Sequence, residues 1–300
     1  MGPAVLDRPR KVPVSRERGG DRFFRLIIAS FAGVILLAAL ALSWQLARES
    51  AETWKTFGLT FLWTSDWDPV NEVFGALPFL YGTAVSSLIA LLIAVPLGVG
   101  AAVFLTELAP KRLAETLMFA IELLAAVPSV ILGLMGIFIL VPAMRAVGAP
   151  YGVGMLTAGL ILSFMILPYI TTITREVLLT VPRPLKEAMY ALGATRWEVV
   201  RGVSLPFARS GIVGAVFLSL GRALGETMAV TMVIGNTPQI KASLLAPGYS
   251  MAAVIANELA EAASDAHLSA LVAIGLTLMA VTVVVNGAAR LLLYRLGSRK

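Results

Sequence analysis

Arg222 and Glu226 stand four residues apart in an apolar stretch that reads Leu218-Ser219-Leu220-Gly221-Arg222-Ala223-Leu224-Gly225-Glu226-Thr227. On a continuous helix that spacing puts both charges on one face. A charged side chain at mid-bilayer costs at least about 2.5–3.5 kcal/mol on insertion scales, so such groups turn toward a bundle interior or a polar path. The planar donor fork of arginine suits phosphate-type oxygens. Glu226 would then hold Arg222 in place and keep an empty path from trapping anions. The plainer alternative is a salt bridge that only fixes packing. Gly221 and Gly225 leave room for a neighbouring helix or a substrate. Glu122, in another apolar stretch, reads as a further buried carboxylate and a candidate partner for Arg222. Ser129 follows the helix breaker Pro128 and is a candidate for lining the same path, although packing explains it as well.

Other chemistries lack their residues. The chain has no cysteine and one histidine, His267. There is thus no thiol nucleophile, no disulfide framework and no Cys or His cluster for a metal. His267 is expected at the outer interface and not as a ligand. No G-x-x-x-x-G-K-[ST] loop occurs, so neither a catalytic residue nor a cofactor is expected here, and any nucleotide must be bound by a separate subunit. A membrane-embedded enzyme would need paired carboxylates, a Ser–His arrangement or a metal cluster in one cavity, and none is visible.

A second pattern lies in the basic stretch from Arg175 to Ser210. It reads Glu187-Ala188-Met189, three residues, Gly193, nine residues, then Val203-Ser204-Leu205-Pro206. Pro184 can open a helix, because its missing N–H is not needed in the first turn. Leu185 to Leu192 makes about two turns, and Gly193 can take positive φ at the position just past the helix end. Trp197 to Val203 resumes helical spacing, and Pro206 ends that stretch or opens the next. The product is a short basic helical hairpin. An element so small does not hold itself together in water, so it is expected to dock on a partner.

The elements that must carry these residues are membrane helices. The chain has 300 residues, 58% apolar and 14% charged, against roughly 45–50% and about 25% for soluble domains. The excess falls in long blocks. Spanning a bilayer takes about 20 mostly apolar residues, and six stretches qualify: about 24–47, 81–105, 117–141, 154–173, 212–235 and 268–293. The first has no small-residue cleavage site after it and is read as retained. Pro96, Pro128 and Pro168 lie inside spans two, three and four, where neighbouring helices can satisfy the freed carbonyls. Of the 24 Lys and Arg residues, 19 fall in the tail over 1–22, the start of span one, the second and fourth loops and the carboxyl end. That asymmetry places both termini in the cytoplasm. Its net charge of +6 therefore reads as membrane topology and not as nucleic-acid binding. The basic tail reads as a topology anchor, with a specific lipid or partner site as the alternative. Trp54, Trp63 and Trp67 in the loop over 48–78 are expected to mark the membrane interface, and a short helix over about 251–263 is expected to cap the bundle.

Around Gly193 the sequence resembles the EAA loop of ABC-importer permeases, with Met189 at the second alanine and Val203 at the isoleucine of that pattern. The resemblance implies that Glu187, Ala188, Gly193, Leu205 and Pro206 form a coupling helix that fits a groove on an ATP-binding subunit. Three further segments are similar to permeases of the phosphate-specific ABC importer: Gly221 to Val230, Val127-Pro128-Ser129, and Met251 to Glu258. The basic Gly20-Asp21-Arg22-Phe23 start is similar to the C-type member of the permease pair. The family implies an all-α type I importer fold with six spans in the bacterial inner membrane. It also implies a heterodimer with a second related permease, two ATP-binding subunits and a periplasmic or lipid-anchored phosphate-binding protein. Molybdate, sulfate or phosphonate as cargo, an uncoupled channel, and an embedded enzyme remain the alternatives.

Overall fold

The computed structural model of the chain describes residues 19–297; most of the basic tail lies outside them. Among the described residues the secondary structure is helical, with one isolated bridge between Asp68 and Val73. The chain divides into two compact units, residues 1–45 and 46–300. The described part of the first is a single helix, α1 (Gly19–Glu49), whose last four residues count with the second unit.

The second unit holds the other helices. After α2 (Ala51–Thr56) and a 3₁₀ turn over Gly58–Leu62 comes α3 (Leu77–Val103), which runs on through a π-helical turn over Phe104–Leu108. Then follow α4 (Lys111–Ala125), α5 (Ser129–Met135), a π turn over Gly136–Leu140, and α6 (Val141–Ala146). Next comes α7 (Met155–Leu179), then α8 (Arg183–Ala191) and α9 (Arg196–Val199). A π turn over Val200–Ser204 leads into α10 (Leu205–Leu224), and α11 (Met228–Ile234), α12 (Met251–Glu258) and α13 (Asp265–Gly297) complete the chain.

Among the described residues, six helical segments are long and apolar enough to cross a membrane: Phe23–Glu49, Leu77–Leu108, Ser129–Ala146, Met155–Leu179, Arg196–Leu224 and Asp265–Arg295. Two of them differ from the sequence expectation. The stretch over 117–141 is not one helix. Pro128 has no N–H, takes an extended ψ of 137°, and disfavours helical backbone at the residue before it, so the chain breaks between α4 and α5. The stretch that crosses is 129–146, and α4 is a separate helix that buries only Ala114 and Met118. The stretch over 212–235 likewise ends early. α10 stops at Leu224 with Gly225 as its cap, and α11 starts anew at Met228. By contrast, Pro96 and Pro168 stay inside α3 and α7.

α7 is the most enclosed of the helices, packed between α3, α10 and α11. Lipid is as apolar as leucine, so close fit and not water exclusion holds such helices together. The α3–α7 contact shows the fit: a Cβ on Gly159 would stand 2.5 Å from Ile89 Cγ2, and one on Gly98 would stand 2.8 Å from Ile170 Cγ2. Several buried hydroxyls return to their own helix. Thr83 donates to Phe79 O at 2.8 Å, Thr171 to Leu167 O at 2.9 Å and Thr277 to Ala273 O at 2.7 Å. This satisfies them without a partner helix.

Candidate functional site

At one end of the second unit the basic stretch folds as a helical hairpin. Pro184 sits in the first turn of α8. That helix ends in a Schellman pair: Gly193 N–H donates to Tyr190 O at 2.9 Å and Ala194 N–H to Met189 O at 3.1 Å. Gly193 has φ +82°, a conformation that Cβ-bearing residues resist. Two residues on, Thr195 and Glu198 form a capping box: Thr195 N–H donates to Glu198 Oε2 at 2.7 Å, and Glu198 N–H donates to Thr195 Oγ1. α9 then passes through its π turn into α10 without a break, so the second arm of the hairpin is the start of a membrane helix.

The residues expected to contact an ATP-binding subunit separate into two groups. Glu187, Ala188, Gly193 and Pro206 are exposed. Leu205 packs inward, against a buried cluster that includes Leu178, Val200 and Ala208. Between α8 and the start of α10 lies an open groove lined by Leu185, Ala188, Met189, Val203, Pro206 and Phe207. Leu192 and Trp197 beside the bend are also exposed, at 86% and 63%, which marks the hairpin as an unpartnered apolar surface.

Glu107 was not expected from the sequence. It sits in the π turn that ends α3, with its side chain 9% exposed. Its Oε1 accepts from Lys186 Nζ at 2.6 Å and from Ser204 Oγ at 2.9 Å. One carboxylate thus joins the end of α3, the hairpin helix α8 and the π turn before α10. Its sequence signal is slight: a lone acid at the end of an apolar span, next to a basic loop.

Inside the membrane, the expected charge pair does not form. The chain breaks between Leu224 and Met228, which takes Glu226 off the face of Arg222. Glu226 is half-buried and its Oε1 accepts from Ala229 N–H at 3.3 Å, at the start of α11. Among the described residues Arg222 has neither an ion pair nor a hydrogen bond. Its guanidinium lies 4.5 Å above the ring of Tyr169, near the middle of α7, a cation–π contact that holds the side chain without neutralising it. Glu122 is exposed on α4 and pairs with no cation among the described residues, so it is not the buried partner the sequence suggested. Ser129 opens α5 half-buried and does not line the Arg222 cavity.

That cavity is open and about 390 Å³ in volume, between α7, α10 and α13. Tyr169, Leu218, Ser219, Arg222, Thr282 and Asn286 line it. Ser219 is 1% exposed, and its Oγ has no hydrogen-bond partner. Sequence spacing could not bring Asn286 and Thr282 to Arg222, because they reach it from another span.

At the other end of the unit, aromatic residues form a packed cluster. Glu258 Oε2 accepts from Trp67 Nε1 at 3.0 Å and contacts His267 Nε2 at 3.2 Å. His267 is 5% exposed and stacks on Phe74, with centroids 5.6 Å apart. It is therefore a core residue of this end and not an interface residue. Trp54 and Trp67 also pack into this core, against Phe61 and Phe79, whereas Trp63 is 75% exposed. The short helix over 251–258 packs on α13 and α3.

Comparison with known proteins supplies the frame for this arrangement. The family model described as "Binding-protein-dependent transport system inner membrane component" matches residues 94–298. The chain is 47% identical to the "Phosphate transport system permease protein PstC" of Mesorhizobium japonicum, over 99% of this chain and 97% of that one. It is 44% identical to the protein of the same name from Xylella fastidiosa, over 95% and 94%. In fold it is similar to a chain of the MetNI methionine ABC transporter in an inward-facing conformation, with TM-score 0.57, 21% identity, and 74% and 94% of the two chains covered. A bacterial alginate ABC transporter, solved with its alginate-bound periplasmic protein, matches with TM-score 0.64 at 15% identity, over 89% and 93%. With a continuous helix carrying both the hairpin and the cavity wall, and with relatives matched over nearly all its length, this chain belongs to the inner-membrane components of binding-protein-dependent transport systems.

Proposed function

We propose that the chain is the permease subunit through which inorganic phosphate crosses the inner membrane in an ATP-driven importer. The observation that carries this reading is Arg222, a cation in a membrane cavity with no carboxylate among the described residues to neutralise it. Such a group is stabilised by a passing anion. The phosphate permeases to which the chain is similar support phosphate as that anion. In this reading Arg222 contacts the anion in transit. Glu226 does not neutralise it, and Glu122 and Ser129 lie away from that contact.

The chain works with a second, related permease, two ATP-binding subunits and a phosphate-binding protein that delivers from outside. ATP-driven closure of the ATP-binding pair pushes on α8 through Glu187, Ala188 and the groove beside Pro206. The Glu107 joint and the continuous α9–α10 helix carry the movement to the cavity. Both termini and the hairpin lie on the cytoplasmic side, where the basic residues concentrate. The chain performs no covalent chemistry on its cargo, and ATP is hydrolysed by the partner subunits.

Phosphate uptake by cells or vesicles carrying Arg222→Ala, with assembly verified, tests this. Uptake should be lost; uptake at the normal rate would remove Arg222 from the path. Competition by molybdate, sulfate and phosphonate fixes the cargo, and only phosphate should be carried well.

A further inference from the structure

Arg222 offers five N–H donors and no acceptor. That suffices to attract any oxyanion and distinguishes none. The rest of the cavity wall is different in kind. Thr282 already donates its hydroxyl proton to Leu278 O at 2.8 Å, so its oxygen can only accept. Asn286 donates one amide N–H to Thr282 O at 2.9 Å, which leaves its Oδ1 an uncommitted acceptor and its second N–H an uncommitted donor. Ser219 Oγ is buried and unpartnered, although a serine on a helix ordinarily donates to a carbonyl of the preceding turn. A buried hydroxyl left without a partner costs about 1–3 kcal/mol, which a hydrogen bond to a ligand would recover. Gly221 brings these groups together: a Cβ there would stand 3.9 Å from Asn286 Nδ2, so the α10 backbone runs close beside α13 at this level.

We propose that Ser219, Thr282 and Asn286 form with Arg222 a transit site that selects a tetrahedral oxyanion still carrying a proton. This rests on the reading of the Arg222 cavity as the anion path. At neutral pH inorganic phosphate keeps at least one O–H. It presents bare oxygens to Arg222 and Ser219 and donates its O–H to Asn286 Oδ1 or Thr282 Oγ1. Sulfate can take the second Asn286 N–H but has no proton to donate, so it leaves Asn286 Oδ1 and Thr282 Oγ1 unpaired. A site built to accept a hydrogen bond rejects an analogue that lacks the donor, because its own acceptors are then left unpaired. The permease itself thereby checks the cargo a second time, after whatever delivers it.

The absence of cysteine makes the test direct, since a single introduced thiol is unique in this chain. Leu218→Cys, on the cavity wall, is placed in the assembled transporter, and its modification by an anionic thiol reagent is followed by the mass of this chain. Millimolar inorganic phosphate should slow labelling about tenfold more than sulfate at equal ionic strength, the equivalent of one good hydrogen bond. Adding Asn286→Leu should bring phosphate protection down to the sulfate level, and adding Arg222→Ala should abolish protection by both. Equal protection by the two anions in the Leu218→Cys chain, or a phosphate preference that survives Asn286→Leu together with Thr282→Val, overturns the selective site while leaving Arg222 in the path. A cysteine that does not label, or that neither anion protects, overturns the site as a whole. Loss of uptake in Arg222→Ala would still be read separately.

Discussion

Glu107 and Lys186, 79 residues apart in sequence, form an ion pair of 2.6 Å that ties the end of a membrane helix to the exposed hairpin helix α8. Ser204 donates to the same carboxylate oxygen from the π turn that begins the next span. π turns of this kind are frequent at functional sites. Here two of them, over 104–108 and 200–204, meet at one hydrogen bond. The carboxylate links the hairpin to two spans.

Removing one partner of this pair should uncouple the machine. Breaking a buried pair costs about 3–5 kcal/mol, because the remaining charge is left unpaired. Lys186→Met should therefore lower phosphate uptake by an order of magnitude or more with the complex still assembled, and Lys186→Glu should be worse, since two carboxylates then meet. The double exchange Glu107→Lys with Lys186→Glu should recover part of the uptake. Uptake unchanged in Lys186→Met would show that the joint transmits nothing.

Gly193 separates backbone strain from docking. A Cβ there meets nothing within 4 Å, so inside this chain the only obstacle to a side chain is φ +82°. Gly193→Asn should be tolerated, because asparagine visits that region, and Gly193→Ala should cost about 1–2 kcal/mol of local stability. If the bend also fits a groove on an ATP-binding subunit, Gly193→Asn will insert and fold yet fail to transport. Full uptake by Gly193→Asn and by Glu187→Lys would refute the docking role.

Glu258 holds the far end of the unit together. Its Oε2 takes the Trp67 indole N–H and the His267 contact at once. Glu258→Ala leaves a half-buried indole donor unpaired and should destabilise by about 1–3 kcal/mol, visible as a lower melting temperature of the purified complex. Glu258→Gln keeps an acceptor and should lose less. Equal losses in the two variants would mean the hydrogen bonds contribute little.

Tyr249 predicts an alkaline limit. It lies outside the spans, and burial pushes its hydroxyl up to about 12, against a lowering by the Asn257 amide that donates to it at 3.0 Å. An acid whose folded pKa is raised contributes stability that is present below its unfolded value, about 10, and is lost as pH rises through the folded value. Stability should therefore fall between about pH 10 and 12, and Tyr249→Phe should flatten that fall. A pH profile that Tyr249→Phe leaves unaltered would assign the loss to another group.

The hairpin was legible because its signals are local. Pro184 opens a helix, Gly193 stops it in the left-handed region, and both act through backbone rules that need no partner. The helix breaks were harder. Pro96, Pro128 and Pro168 look alike in sequence, yet only Pro128 ends its helix, whereas Pro96 and Pro168 continue within α3 and α7. Arg222 and Glu226 share a face only on a continuous helix, and α10 ends at Leu224 with Gly225 as its cap.

Six long apolar blocks, their uneven basic residues and the spacing around Gly193 determined the class of protein, because hydrophobic length and backbone conformation are properties of short stretches of chain. Tertiary structure alone decided which groups meet: Glu107 with Lys186 and Ser204, Tyr169 under Arg222, Asn286 beside Gly221, His267 against Phe74. Each contact joins segments far apart in sequence, and in a membrane such partners are chosen by close fit between helices, which no single stretch encodes.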